Sequence, residues 1–196
     1  FTDTFNCSNS ATALVDILAL PKVSASSNDE FCANEDPLGL RPDSIYQAGR
    51  YFYVGGGIFN DSIFDPAVAN LGVNTILYSF IDTNSCRRDT FINITVNPTP
   101  TVSFSNLSPV CENANSFILN QGSSIGTGGT AWYEGPGILS DSTSFNADTA
   151  NAGIHTIKFF YRDRNNCIDS SSQTIQVDTV PRPVFTSVIP DFCANT

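Results

Sequence analysis

Gly72-Val73-Asn74-Thr75-Ile76-Leu77-Tyr78-Ser79-Phe80-Ile81-Asp82-Thr83-Asn84-Ser85-Cys86 returns 81 residues later as Gly153-Ile154-His155-Thr156-Ile157-Lys158-Phe159-Phe160-Tyr161-Arg162-Asp163-Arg164-Asn165-Asn166-Cys167. A third, earlier trace of its end is Asp3-Thr4-Phe5-Asn6-Cys7, offset by 79. Thr75 to Ile81 and Thr156 to Tyr161 are rich in β-branched and aromatic residues, which fit a pleated strand. The Asp-x-x-x-Cys block that follows reads as a turn. After it, Ile92, Ile94 and Val96 alternate with Asn93 and Thr95, the period of a half-buried strand. The second copy has Thr174-Ile175-Gln176-Val177 at this place. The stretch therefore predicts a long antiparallel hairpin, repeated.

Moving outward, each hairpin is followed by prolines (Pro98 and Pro100, Pro181 and Pro183, and Pro21 in the first trace). Then comes a second cysteine block: Phe31-Cys32-Ala33-Asn34, Val110-Cys111-Glu112-Asn113 and Phe192-Cys193-Ala194-Asn195. Between the blocks, Gly55-Gly56-Gly57-Ile58 matches Gly135-Pro136-Gly137-Ile138, and Phe64-Asp65-Pro66-Ala67 matches Phe145-Asn146-Ala147-Asp148. Turn residues recur every 8 to 12 positions, and no stretch keeps a helical period. The expected organisation is all-β, with sandwich repeats end to end: 1–21 as the last strands of one repeat, 22–100 as repeat I, 101–182 as repeat II, and 183–196 as the first strand of another. With no Met among 196 residues, the sequence reads as an internal piece of a longer protein.

Nine basic against 19 acidic residues give a formal charge of −10. That balance disfavours nucleic acid and anionic membrane surfaces as partners, since both demand basic patches. No apolar run approaches the ~20 residues of a membrane helix, so direct membrane insertion is not expected.

Six cysteines without a Cys-x-x-Cys pair, and a single His, make a poor zinc ligand set. Cysteines that recur by repeat position read as disulfides of an oxidising compartment. Three patterns respect the repeat. Same-repeat bonding gives Cys32–Cys86 and Cys111–Cys167. Neighbour bonding gives Cys7–Cys32, Cys86–Cys111 and Cys167–Cys193. A staple between repeats gives Cys32–Cys167. Cys86 and Cys167 fall in the turn between the last two strands, and Cys32 and Cys111 near the opposite end of a sandwich. Bonded Cα atoms must lie within ~7 Å, so this topology favours the staple. Moving the first strand would restore same-repeat bonding.

Other chemistry is thin. His155 stands where the first copy has Asn74, so a Ser-His-Asp triad is not expected. Gly122 to Thr130 lacks the Lys-Ser/Thr of a phosphate loop. Asp82 and Asp163, beside Asn84 and Asn165, are calcium candidates, although such residues also close turns on their own backbone. Trp132 and Tyr133 are candidates for glycan contact, with at most one ring facing outward from a core strand.

The order of these blocks resembles the immunoglobulin-like or PKD-like repeats of giant Bacteroidota cell-surface proteins, gliding-motility adhesins among them. The PKD hallmark Trp-x-Phe-Gly-Asp-Gly is absent; Trp132-Tyr133-Glu134-Gly135-Pro136-Gly137 stands near its place. The resemblance implies a seven-stranded sandwich, export by the type IX route, and a non-catalytic role as extracellular stalk or adhesin without a cofactor. Its implied partners are neighbouring repeats of the same chain, surface polysaccharide or other cell-envelope proteins. It also implies O-glycosylation at Asp-Ser/Thr followed by a small aliphatic residue, which places candidates at Ser44, Ser62, Thr149 and Thr179. The alternatives are a glycan-binding module and an accessory domain of a secreted hydrolase.

Overall fold

A computed structural model describes residues 1–25, 29–45, 47–126 and 128–184. Two compact units are present, Phe1–Asn97 and Pro98–Thr196. The division falls at the head of the Pro98 to Pro100 segment.

In the first unit the strands are β1 (Val23–Ser24), β2 (Asp29–Cys32), β3 (Leu38–Gly39), β4 (Ser44–Ile45), β5 (Gly49–Val54), β6 (Ile58–Phe59), β7 (Ile63–Phe64), β8 (Gly72–Asp82) and β9 (Arg87–Asn97). One layer is the four-stranded sheet β2-β9-β8-β5; the other is made by β3-β7-β6 and the pair β1-β4. The hairpin expected from the sequence is β8-β9, antiparallel from Gly72↔Val96 to Ile81↔Arg87. Strand β2 runs parallel to β9, with Cys32 opposite Asn97. This is the strand order of an immunoglobulin-like sandwich.

The second unit has β10 (Thr101–Phe104), β11 (Val110–Cys111), β12 (Phe117–Ile118), β13 (Gly122–Ile125), β14 (Gly129–Glu134), β15 (Ser144–Phe145), a single helical turn α1 (Ala147–Ala150), β16 (Gly153–Asp163) and β17 (Ile168–Asp178). Its four-stranded sheet, β11-β17-β16-β14, repeats the first in order and direction. Again the cysteine-bearing strand β11 lies parallel to the last strand, Cys111 opposite Asp178.

The segment ending at each second cysteine holds two short strands. β1 and β10 pair with β4 and β13, while β2 and β11 cross to the other sheet. Over residues 1–22 the strand-like contact described is the bridge Thr2↔Ser8, which closes the turn before Cys7. The first strand expected within 183–196, with Cys193, falls mostly on 185–196, outside the described residues.

Alternation builds the cores. Ile92, Ile94 and Val96 of β9 point inward, joined by Ile76, Tyr78 and Phe80 of β8, Tyr53 of β5, and Phe64 and Leu40 from the opposite layer. The second unit buries Phe145, Ile157, Phe159, Tyr133, Ile175, Val177, Phe104 and Leu119 in the same way. Phe64 and Phe145 are fully buried. Each has its ring edge against a glycine in the left-handed region, Gly57 (φ 78°) and Gly137 (φ 80°). A Cβ on either would stand under 3 Å from that ring, so both position and conformation require glycine.

The loop before β7 and its counterpart before β15 tie the layers together. In the first unit, the Asp61 carbonyl accepts from Tyr53 N–H (2.6 Å) and the Ser62 carbonyl from Leu40 N–H (2.7 Å). In the second, Ser142 and Thr143 accept from Tyr133 (2.8 Å) and Leu119 (2.9 Å). Asp141 fixes this second loop. Its Oδ1 accepts from the N–H groups of Thr143 and Ser144, and its Oδ2 from the Ser144 hydroxyl at 2.6 Å.

Candidate functional site: cysteine turns and the sheet face

The Asp-x-x-x-Cys block is one turn built three times. In each copy the aspartate Oδ1 accepts from the backbone N–H groups two and four residues on. Asp3 takes Phe5 and Cys7, Asp82 takes Asn84 and Cys86, and Asp163 takes Asn165 and Cys167, all at 2.8–2.9 Å. Each aspartate N–H donates to the carbonyl of its cysteine. The residue before each cysteine, Asn6, Ser85 or Asn166, is left-handed, with φ between 62° and 67°. These carboxylates therefore organise the turn that presents the cysteine, as Asx residues do. Among the described residues, no three His, Cys, Asp or Glu side chains form a group that could hold a metal ion.

The cysteines of a unit stand at opposite ends of its last strand. Cys86 immediately precedes β9, and Cys32 lies level with Asn97 at its far end. Eleven residues separate those ends; at ~3.3 Å per residue that is roughly 35 Å, several times the Cα separation a disulfide spans. The second unit repeats this, with Cys167 ahead of β17 and Cys111 level with Asp178 at its end. Cys32 and Cys167 are in the disulfide form. Cys7, Cys86 and Cys111 carry free thiols. Neither same-repeat bond, Cys32–Cys86 or Cys111–Cys167, is therefore made, and the strand length explains why. The free thiols also rule out Cys7–Cys32 and Cys86–Cys111 here. The bonded cysteines are both buried, at 6% and 0% exposure, whereas Cys7 and Cys111 are exposed and Cys86 half-buried.

The two ring candidates separate by strand alternation. Tyr133 is buried, packs on Phe104 and Phe159, and accepts from Gly122 N–H through its hydroxyl at 2.9 Å. It is a core residue and offers no face to a glycan. Trp132 faces outward. It stacks on Phe160 of β16 at 5.1 Å with the planes 6° apart, and its indole N–H donates to Glu134 at 2.8 Å. Arg162 lies over Trp132 at 5.6 Å and Lys158 over Phe160 at 4.9 Å. A sugar stacking on this pair would have to compete with those cations. In the first unit the equivalent ring, Phe52, is covered by Arg50 and Arg87, and Arg87 is held by Asp89 at 2.8 Å. Ser79 and the Arg87 guanidinium both bond Asp89, which holds its carboxyl below the usual range, Arg87 being the larger cause.

His155 sits on β16 with Nε2 2.8 Å from the Asn151 carbonyl. Asn74, its counterpart, donates to the Asn70 carbonyl at 2.7 Å. Both side chains close the loop entering the long strand, which accounts for their interchange between units. Of the glycosylation candidates, Thr149 in α1 and Thr179 after β17 are exposed, Ser62 is half-buried, and Ser44 lies on β4. An apolar cavity of about 220 Å³ opens in the second unit beside Leu107, Val110, Phe117 and Ile175. No described helix is long and apolar enough to cross a membrane.

No protein-family model matches the chain, and no curated protein matches it. Among solved structures it is similar to the Clostridium thermocellum CbhA fibronectin(III)-like modules, at 14% identity over 84% of this chain and 96% of that one, TM-score 0.37. Drosophila N-cadherin EC1-4 is 11% identical over 83% of this chain and 50% of that one, TM-score 0.33. Human CDH23 EC21-23 is 12% identical over 83% and 70%, TM-score 0.33. These likenesses concern the course of the chain alone; the strand order and the parallel pairing of β2 with β9 and β11 with β17 make each unit an immunoglobulin-like sandwich.

Proposed function

We propose that this chain is a non-catalytic spacer segment of an extracellular filament or adhesin stalk, whose sandwich units are joined by a disulfide between Cys32 and Cys167. One observation carries the reading: each unit holds one cysteine at either end of its last strand, out of reach of the other, while Cys32 and Cys167 are oxidised. Such an arrangement serves linkage between units rather than closure of one. A disulfide that persists also favours an oxidising compartment. What the copies share supports the same reading. They share cysteine turns, the glycine-packed Phe64 and Phe145, and the strand register. His155 itself is not shared, Asn74 standing in its place.

The partners are then neighbouring repeats of the same chain, with surface polysaccharide or other envelope proteins reached through the ends of the stalk. The resemblance to Bacteroidota surface repeats adds type IX export, a place in gliding motility, and O-glycans on exposed sites such as Thr149 and Thr179. A non-reducing peptide map tests the core of the proposal. A Cys32–Cys167 peptide is expected, released by reductant. Recovery of Cys32 joined to Cys86 would overturn it.

A further inference from the structure

We propose that the outer face of β14, β16 and β17 binds a carboxylated polysaccharide, with Trp132 and Phe160 as its stacking platform. The inference gives the surface-polysaccharide partner above a chemical class and a place, and it does not depend on the Cys32–Cys167 bond. Three cross-strand rows form the face: Thr130-Arg162-Ile168, Trp132-Phe160-Ser170 and Glu134-Lys158-Ser172. The residues between them on their strands, such as Tyr133 and Phe159, are buried, so alternation turns the rows outward. Lys158, Arg162 and Ser172 are exposed, and the two rings are half-buried. Within the rows the one carboxylate is Glu134, and it accepts the indole N–H of Trp132. Among the described residues, neither Lys158 nor Arg162 enters an ion pair. In a chain of nine basic and 19 acidic residues, this is a local island of positive charge.

The first unit shows what such an island accepts. Its equivalent row is Phe52-Ser79-Asp89. There Arg87 lies over Phe52 at 5.5 Å, and Asp89 supplies it with a carboxylate at 2.8 Å. Ring, cation and carboxylate form one satisfied group. Ser170 stands where Asp89 stands, each three residues after the cysteine of its turn. The second unit keeps rings and cations, Arg162 over Trp132 and Lys158 over Phe160, with a hydroxyl in place of the built-in carboxylate. A carboxylate from outside completes the group, and the planar guanidinium of Arg162 suits two-point contact with it. A neutral sugar must displace the cations from the rings, whereas a uronic acid gives them a partner. Lys158 and Arg162 are four residues apart on β16, roughly 13 Å, the reach of a short oligosaccharide rather than of one small ion. Along the neighbouring strand, Ser170, Ser172 and Thr174 present hydroxyls at every second residue. Hydroxyls both donate and accept, which matches the hydroxyls of a sugar and favours a glycan over an acidic peptide.

Trp132 is the one tryptophan of the chain, so its fluorescence reports this face directly. The whole chain is titrated with oligogalacturonate at low ionic strength, beside dextran as a neutral sugar and polyglutamate as a carboxylated peptide. A saturable change in emission is expected with oligogalacturonate and none with dextran, and the affinity should fall as salt is raised. By calorimetry, Arg162→Gln and Lys158→Gln should each weaken binding roughly ten-fold, the weight of one charge-assisted hydrogen bond. Ser170→Asp, which installs the carboxylate of the first unit, should weaken it by a similar factor. Circular dichroism of these variants should match the parent, since none of them alters the core. No binding of oligogalacturonate, binding untouched by the substitutions, or polyglutamate bound as tightly as oligogalacturonate would each overturn the inference. The peptide map for Cys32–Cys167 is a separate measurement, so failure of the staple is read apart from failure of this site.

Discussion

Asp163 shows how one carboxylate shapes a unit. It is 7% exposed, and its Oδ1 accepts from Asn165 and Cys167. Removing a carboxylate acceptor from two buried or half-buried N–H groups costs about 1.5–3 kcal/mol. Asp163→Ala should lower the stability of the second unit by that amount in urea denaturation, and Asp163→Asn, which keeps Oδ1, by less. Calcium should leave the melting temperature of the parent chain unchanged if the side chain serves the turn alone. The recurring Asp and Cys were legible in the sequence because the turn is local, five residues from first to last. The cations over Trp132 and Phe160 were not. Alternation already pointed one of Trp132 and Tyr133 outward, but Arg162 reaches Trp132, and Trp132 reaches Phe160, only through the β14-β16 register, Trp132↔Phe160.

Elements were readable in proportion to their length. β8, β9, β16 and β17 have eleven residues each and declare themselves by alternation. β2 and β11 have four and two residues, too few for a period, and their partners lie more than sixty positions away. Their crossing to the other sheet was therefore invisible, although the cysteines they carry marked the place. The loop before β15 makes a testable case at this scale. The Ser144 hydroxyl, with the N–H groups of Thr143 and Ser144, holds the Asp141 carboxyl down to about 2, against ~3.9 in an unfolded chain. A depressed folded value stabilises the ionised fold above the unfolded value, and that support is lost as pH falls through the folded one. The second unit should therefore weaken between about pH 4 and pH 2. Acid titration of Asp141→Ala, followed by circular dichroism, should show a flatter dependence across that window.

For the whole molecule, two separate cores predict separable stability. Phe64→Ala removes a fully buried ring from the first unit, a change that costs about 3–5 kcal/mol. Hydrogen exchange should then show loss of protection in β8 and β9 while β16 and β17 keep theirs. The parallel placement of β2 beside β9, and of β11 beside β17, has a mechanical consequence. Each unit's chain passes from β1 or β10 into the short strand and leaves along that strand's parallel neighbour. Tension between entry and exit thus drags the two strands past each other lengthwise and loads all their hydrogen bonds at once, instead of unzipping them singly. The first unit pairs four residues in this patch and the second only two. In single-molecule stretching of the reduced chain the second unit should yield at the lower force. A tether made of such units would give way in steps, and the bonded Cys32, standing at the exit end of its patch, would decide how much length its step releases.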